Sequence, residues 1–241
     1  MNSKLDLNNK ASNFRMLHGL GIKDPVPVKA LLNKLNILCV FKPLSENTSG
    51  MVGQLNGLNF MLINANHAIG RQNFTITHEL YHIYFDKTFK TPIIDYTNNN
   101  EGEEKKANVF ASYLLLPDGL IDLIPENETG KDKITIQTLF KIEQFYQTSR
   151  IALLLRLKGL NFITEKYIAN NTNNIIQQAK MLGYDTSLYE KGNNNVVIGD
   201  YALKAKTLYD KDIISESNYV DYLIDLGIKP EDISLNVFTK G

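Results

Sequence analysis

One stretch limits the folds open to this chain more than any other: Phe74-Thr75-Ile76-Thr77-His78-Glu79-Leu80-Tyr81-His82-Ile83-Tyr84-Phe85-Asp86. Its spacing predicts a helix that is apolar on nearly every side, the pattern of a buried element. Two imidazoles and a carboxylate inside such a helix need partners. An unpaired polar group there costs on the order of 1–3 kcal/mol. Residues four apart on a helix lie one above the other, so His78 and His82 can aim at one ion. Glu79 sits about 100° round the helix from His78, beside such an ion but outside its ligand set. A carboxylate placed there suits removal of a proton from a metal-bound water.

Composition narrows the setting. The 241 residues suffice for one large domain or two small ones. Lys+Arg and Asp+Glu both number 26, so no bulk field draws nucleic acid or an anionic membrane, and direct nucleic-acid binding is not expected. No apolar run approaches the ~20 residues of a membrane span. Met1-Asn2-Ser3-Lys4-Leu5-Asp6 lacks the apolar region of a signal peptide. The single cysteine, Cys39, excludes an intrachain disulfide and reads as a small buried hydrophobe within Ile37-Leu38-Cys39-Val40-Phe41. Together these features point to the cytoplasm.

Residues 1–10 are polar and expected to be loosely ordered. A helix is expected over Ala11 to Leu20, ending at Gly19 or Gly21, and a short one over Val28 to Leu35. Ile37 to Lys42 reads as a strand that stops at Pro43. Asn56-Gly57 between two apolar runs, Gly50 to Leu55 and Leu58 to Asn64, is a strong hairpin signal. The expectation is a small antiparallel sheet leading into the His78 helix, with Leu58 to Asn64 as an edge to which an extended peptide adds. Residues 87–100 read as a loop. A helix from Glu101 or Glu103 carries the stripe Ala107, Phe110, Ala111, Leu114, Leu115 and is closed by Pro117.

Asp118 to Ile124 is expected to add a short helical turn. Ile134 to Tyr146 and Ser149 to Leu157 follow as helices, Ser149 capping the second. This pair could be a helix-turn-helix with Arg150, Arg156 and Lys158 near a phosphate backbone; two packed helices with solvated charges suit a neutral chain better. Asn170 to Asn174 and Gly192 to Asn195 are turn-forming. Helices are expected over Ile175 to Leu182, Ala202 to Tyr209 and Tyr219 to Leu226. The expected organisation is a core over 1–125, a helical segment over 126–160 packed on it, and a small helical C-terminal appendage over 161–241.

A catalytic zinc needs three protein ligands and an open position. A third histidine in the same motif would stand six residues after His82, where the chain has Thr88. The alternative is a carboxylate from the helix of residues 101–116, which offers Glu101, Glu103 and Glu104. At about 100° per residue, Glu103 and Glu104 fall on either side of the apolar stripe, and Glu101 falls well off it. Periodicity does not choose between the two, and acidic residues in a first turn also suit the helix dipole. His18 and His67 lack motif spacing and read as incidental.

Glu104-Lys105-Lys106-Ala107-Asn108-Val109-Phe110-Ala111-Ser112-Tyr113-Leu114-Leu115-Leu116-Pro117 resembles the second signature of the ImmA/IrrE family of zinc metallo-endopeptidases. Phe74 to His82 resembles the first, with Thr77 in place of a small apolar residue and Tyr81 in place of a frequent glycine. Ser149-Arg150 and Leu155-Arg156-Leu157 resemble the family as well. The resemblance implies an α+β, zincin-like core binding one Zn²⁺ through His78, His82 and Glu104, with Glu79 as general base. Asn108, one turn after Glu104, would hydrogen-bond a ligating imidazole or fix the helix. Tyr81, Tyr96 and Tyr113 are available to hold an oxyanion, and nothing in the sequence selects one. The resemblance further implies a protein substrate, a helix-turn-helix repressor or antitoxin-like partner, often encoded alongside on mobile elements, whose cleavage relieves repression. The alternatives are a metal-containing module that binds its partner without cleaving it, and a DNA-binding regulator. Retention of Glu79 argues against the first of these.

Overall fold

The computed structural model describes residues 4–55, 58–87, 101–228 and 231. Among the described residues, four strands form one sheet in the order β2-β3-β1-β4: β1 (Leu38–Lys42), β2 (Gly50–Leu55), β3 (Leu58–Asn64) and β4 (Val197–Ile198). The expected hairpin is present, β2 running antiparallel to β3 in the register Leu55↔Leu58; its Asn56-Gly57 turn lies outside the described residues. On the other side β1 runs parallel to β3, from Leu38↔Phe60 to Lys42↔Asn64. The sheet is therefore mixed, a correction to the antiparallel expectation. Strand periodicity is the same in both ladders and carries no direction.

The connection between β1 and β2 decides the arrangement. Asn64 is fully buried at the end of β3. Its Oδ1 accepts from the N–H groups of Leu44 and Asn66 at 3.0 and 2.9 Å, and its Nδ2 donates to the carbonyls of Ser45 and Thr48 at 2.9 and 2.7 Å. These bonds fold the segment after Pro43 around the end of β3, so that β2 returns on its outer side. β3 is thus an interior strand, and β2 is the outer one. The edge expected at Leu58 to Asn64 belongs to Gly50–Leu55 instead.

Helix α1 spans Lys4–Leu17, so the loose N-terminus expected over residues 1–10 is corrected beyond Lys4. Leu7, Ala11 and Phe14 form a buried stripe at helical spacing, and the Asn and Lys residues between them face outward. The chain leaves α1 through Gly19 at φ +64°, a conformation that favours glycine. Helices α2 (Val28–Lys34), α3 (Ile69–Phe85) and α4 (Glu101–Leu115) follow. All five residues of the α4 stripe are fully buried. α3 packs against both the sheet and α4, and α1 packs against α4, its Phe14 also meeting Tyr84 and Phe85 of α3. The first apolar cluster fills this volume, from Leu32, Phe41 and Ile63 to Leu80, Tyr81 and Phe110.

A 3₁₀ turn over Asp118–Leu123 leads to α5 (Ile136–Tyr146), α6 (Arg150–Gly159) and α7 (Glu165–Asn170), a helix the sequence reading missed. They enclose a second cluster that includes Leu139, Leu153 and Leu157. Ser149 caps α6 as expected, its side chain accepting from Ala152 N–H. Gly70 in the first turn of α3 meets the Thr148–Ser149 backbone closely: a Cβ there would lie 2.9 Å from Ser149 N. Only glycine lets α6 dock at this distance from α3.

Helices α8 (Ile175–Met181), α9 (Tyr201–Asp210) and α10 (Glu216–Asp225) follow, with a third cluster around the stacked rings of Tyr209 and Tyr219. The region expected as a helical appendage also supplies β4, paired with β1 at Cys39↔Ile198. Among the described residues, no helix is long and apolar enough to cross a membrane.

Candidate metal centre

His78 and His82 project from one face of α3, with Nε2 atoms 3.3 Å apart. Glu104, from the first turn of α4, brings Oε2 to 3.1 Å from His78 Nε2 and Oε1 to 3.3 Å from His82 Nε2. The three ligand atoms lie within 4.8 Å of one another. Glu103 turns away: its Oε2 accepts from the Tyr81 hydroxyl at 2.8 Å and its Oε1 from Lys106 Nζ at 2.5 Å. Glu101 faces Lys105 at the surface. Geometry separates what periodicity left open, since only Glu104 reaches the imidazoles.

The outer ring nitrogens are also held. His78 Nδ1 lies 3.1 Å from Asn108 Oδ1, and His82 Nδ1 lies 2.9 Å from Asp86 Oδ2. Both partners are acceptors, so each ring keeps a proton on Nδ1, and a metal that displaced the Nε2 protons shared with Glu104 would meet two converging lone pairs. Two such nitrogens and a carboxylate oxygen make a donor set suited to a tetrahedral zinc with its fourth position open. The residues fit the metal. Asp86 escaped the sequence reading although it stands four residues after His82. It caps α3 at φ −82°, ψ 110°, and this turn out of the helix aims its side chain back.

The electrostatics follow from the same contacts. Hydrogen bonds from His78 and His82 hold the Glu104 carboxyl well below the usual range, against the opposing effect of burial. Burial alone would lower His82; its hydrogen bonds to Glu104 and Asp86 overcome that and raise it to about 9. Glu79 is buried beside the pair. Its loss of hydration pushes its carboxyl up, and the two imidazoles partly offset this.

A cleft of about 1010 Å³ is lined by His78, Glu79 and Glu104. Gly50 and Met51 of β2 line it on one side, Ile151 and Leu155 of α6 on the other. Of the three tyrosines considered, Tyr113 lines the cleft, Tyr81 is engaged with Glu103, and Tyr96 lies outside the described residues. His18 packs on the Phe14 ring at 4.3 Å, and His67 faces the Glu46 carbonyl, so neither joins the cluster. The cations of α6 are engaged elsewhere. Arg150 is buried against Glu143, Arg156 is buried against Asp118 and the Leu116 carbonyl, and Lys158 pairs with Glu165.

No curated protein matches the chain. The model of the IrrE N-terminal-like domain, peptidase family M78, matches residues 32–158, which include β1 to β3, α3, α4, α5 and most of α6. That match covers more than half of the sequence, and the chain belongs to this family of metallopeptidases.

Proposed function

We propose that the chain is a zinc-dependent endopeptidase with a zincin-like core, in which His78, His82 and Glu104 are the metal ligands and Glu79 is the general base. The observation that carries this reading is the convergence of three donor atoms beside a buried carboxylate on the floor of an open cleft. Held by His78, His82 and Glu104, a zinc ion would supply Lewis acidity toward the scissile carbonyl and acidify the attacking water. Asn108 and Asp86 keep the two imidazoles turned inward. Glu79 takes the proton of the attacking water and returns it to the leaving amine. An extended substrate adds beside β2, whose first residues line the cleft.

The proposal extends to the substrate. By the family resemblance it is a helix-turn-helix repressor or antitoxin-like protein, cleaved in the cytoplasm to relieve repression, in the setting of a mobile element. Burial of Arg150 and Arg156 supports a protein substrate over direct DNA binding, because α6 then has little charge to offer a phosphate backbone.

The test compares wild type and Glu79→Gln against candidate repressors, with and without a chelator. Wild type should cleave, and the chelator should abolish it. Glu79→Gln should keep its zinc while cleavage falls by about 10²–10⁴-fold. Cleavage that survives both the chelator and the substitution would falsify the enzyme reading. Binding of a partner with no cleavage by either protein would favour a non-cleaving module.

A further inference from the structure

Glu104 needs more support than its histidine partners. It belongs to the first turn of α4, where backbone N–H groups have no intrahelical partner and helices fray. Half of its side-chain surface is exposed, whereas His78 and His82 are 14% and 10% exposed. A ligand on such a turn is only as well placed as the contact that fixes the turn. Apart from the contacts of Glu104 itself with the two imidazoles, a further bond ties the turn to α3: the hydroxyl of Tyr81 donates to Glu103, the residue before the ligand, at 2.8 Å. One step along a helix rotates a side chain by about 100°, so Glu103 faces Tyr81 while Glu104 faces the imidazoles.

The Tyr81 ring is itself immobilised. It is 1% exposed and packs against Phe85 and Phe110 at centroid distances of 5.9 and 5.7 Å, with its neighbour His82 edge-on at 5.8 Å. Lys106 neutralises the second Glu103 oxygen. The hydroxyl thus transmits the position of the core to the ligand turn through one hydrogen bond. We infer that Tyr81 is a positioning residue that sets the metal geometry through Glu103, so that α3 contributes two ligands directly and orients the third. This rests on the zinc site proposed above.

Zinc affinity, read by competition with a chelator of known strength, tests it. Tyr81→Phe keeps the ring and removes the bond; it should weaken zinc by about tenfold or more, the usual scale for groups that orient a ligand. Glu103→Ala should do the same. The double variant should be no weaker than either single one, because both remove one interaction. Glu103→Gln retains an acceptor and should stay near wild type. The metal-free melting temperature is followed in parallel, since a merely structural role would lower it and leave zinc affinity alone. Tyr81→Phe with wild-type zinc affinity, or additive losses in the double variant, would overturn the inference. A wild-type protein that binds no zinc would instead overturn the metal site itself.

Discussion

Two polar clusters inside this molecule are built from similar parts and closed in opposite ways. In the first, Arg150 and Glu143 are 1% and 0% exposed. Arg150 donates twice to the carboxylate and once to the Asn171 carbonyl, and its guanidinium lies over the Phe140 ring. The Tyr189 hydroxyl donates to the same carboxylate at 2.8 Å. Every charge is answered within the fold. In the second, the Nε2 atoms of His78 and His82 and a carboxylate oxygen of Glu104 converge within 4.8 Å of one another, with His78 and Glu104 on the wall of a cleft; Asn108 and Asp86 hold the outer ring nitrogens, and the inner ones share their protons with Glu104. A cluster whose donors are matched by acceptors holds the fold together. A cluster whose ligand-type atoms converge on one point is suited to completion from outside, by an ion.

The contrast breaks first at the ion pair. Glu143→Ala leaves a buried guanidinium unpaired and should cost about 3–5 kcal/mol, measured by denaturant unfolding. Zinc bound per folded molecule should not change. Replacing both members by apolar residues of similar volume should restore much of that stability. A loss below about 1 kcal/mol for Glu143→Ala would mean the cluster is not closed as described.

At the metal cluster the same removal of a charge should spare the fold and strike the ion. Asp86→Asn keeps an acceptor for His82 Nδ1 and removes the carboxylate. Zinc affinity should fall about 10- to 100-fold, and above pH 9, where His82 no longer carries the proton that pairs with Asp86, metal-free melting should change little. Equal zinc affinity in the two proteins would remove Asp86 from the site.

The smallest effect is the pH dependence. The folded metal-free protein holds His82 at about 9, above the ordinary 6.5. Its protonated pairing with Glu104 and Asp86 therefore adds stability that is fully present below 6.5 and is lost as pH rises through 9. Zinc displaces that proton, so its affinity should rise up to tenfold per pH unit, about 1.4 kcal/mol, across the same window. The melting-temperature gain at fixed free zinc should widen from pH 6.5 to 8.5. A constant gain would show that His82 is already neutral.

The sites differ as much in how far the sequence exposes them. His78, Glu79 and His82 sit at helical spacing in an apolar run, and the Ala107 to Leu115 stripe marks α4 equally plainly. Asp86 obeys the same spacing, yet its orientation depends on a cap conformation that no residue pattern announces. The Arg150–Glu143 pair spans the turn between α5 and α6, and as letters it cannot be told from two solvated charges. β4 is shorter than any pattern can resolve and exists because β1 offers it a ladder.

The sequence by itself determined most of the helices, though not α7 or the start of α1, together with the hairpin and the chemistry available: two imidazoles and a carboxylate on one helix, a choice of carboxylates on another. These are local facts, fixed by periodicity within a turn or two. Periodicity left the carboxylate open and only the family resemblance pointed to Glu104; the tertiary structure brings Glu104 to the histidines and alone decided which strand borders the cleft and which charges are sealed. Those outcomes depend on how elements far apart in sequence approach one another: Tyr81 against Glu103, Asn64 around the 44–48 turn, Gly70 beneath Ser149. Contacts of that kind have no period, because each is set by the packing of an entire layer rather than by the geometry of one helix or strand.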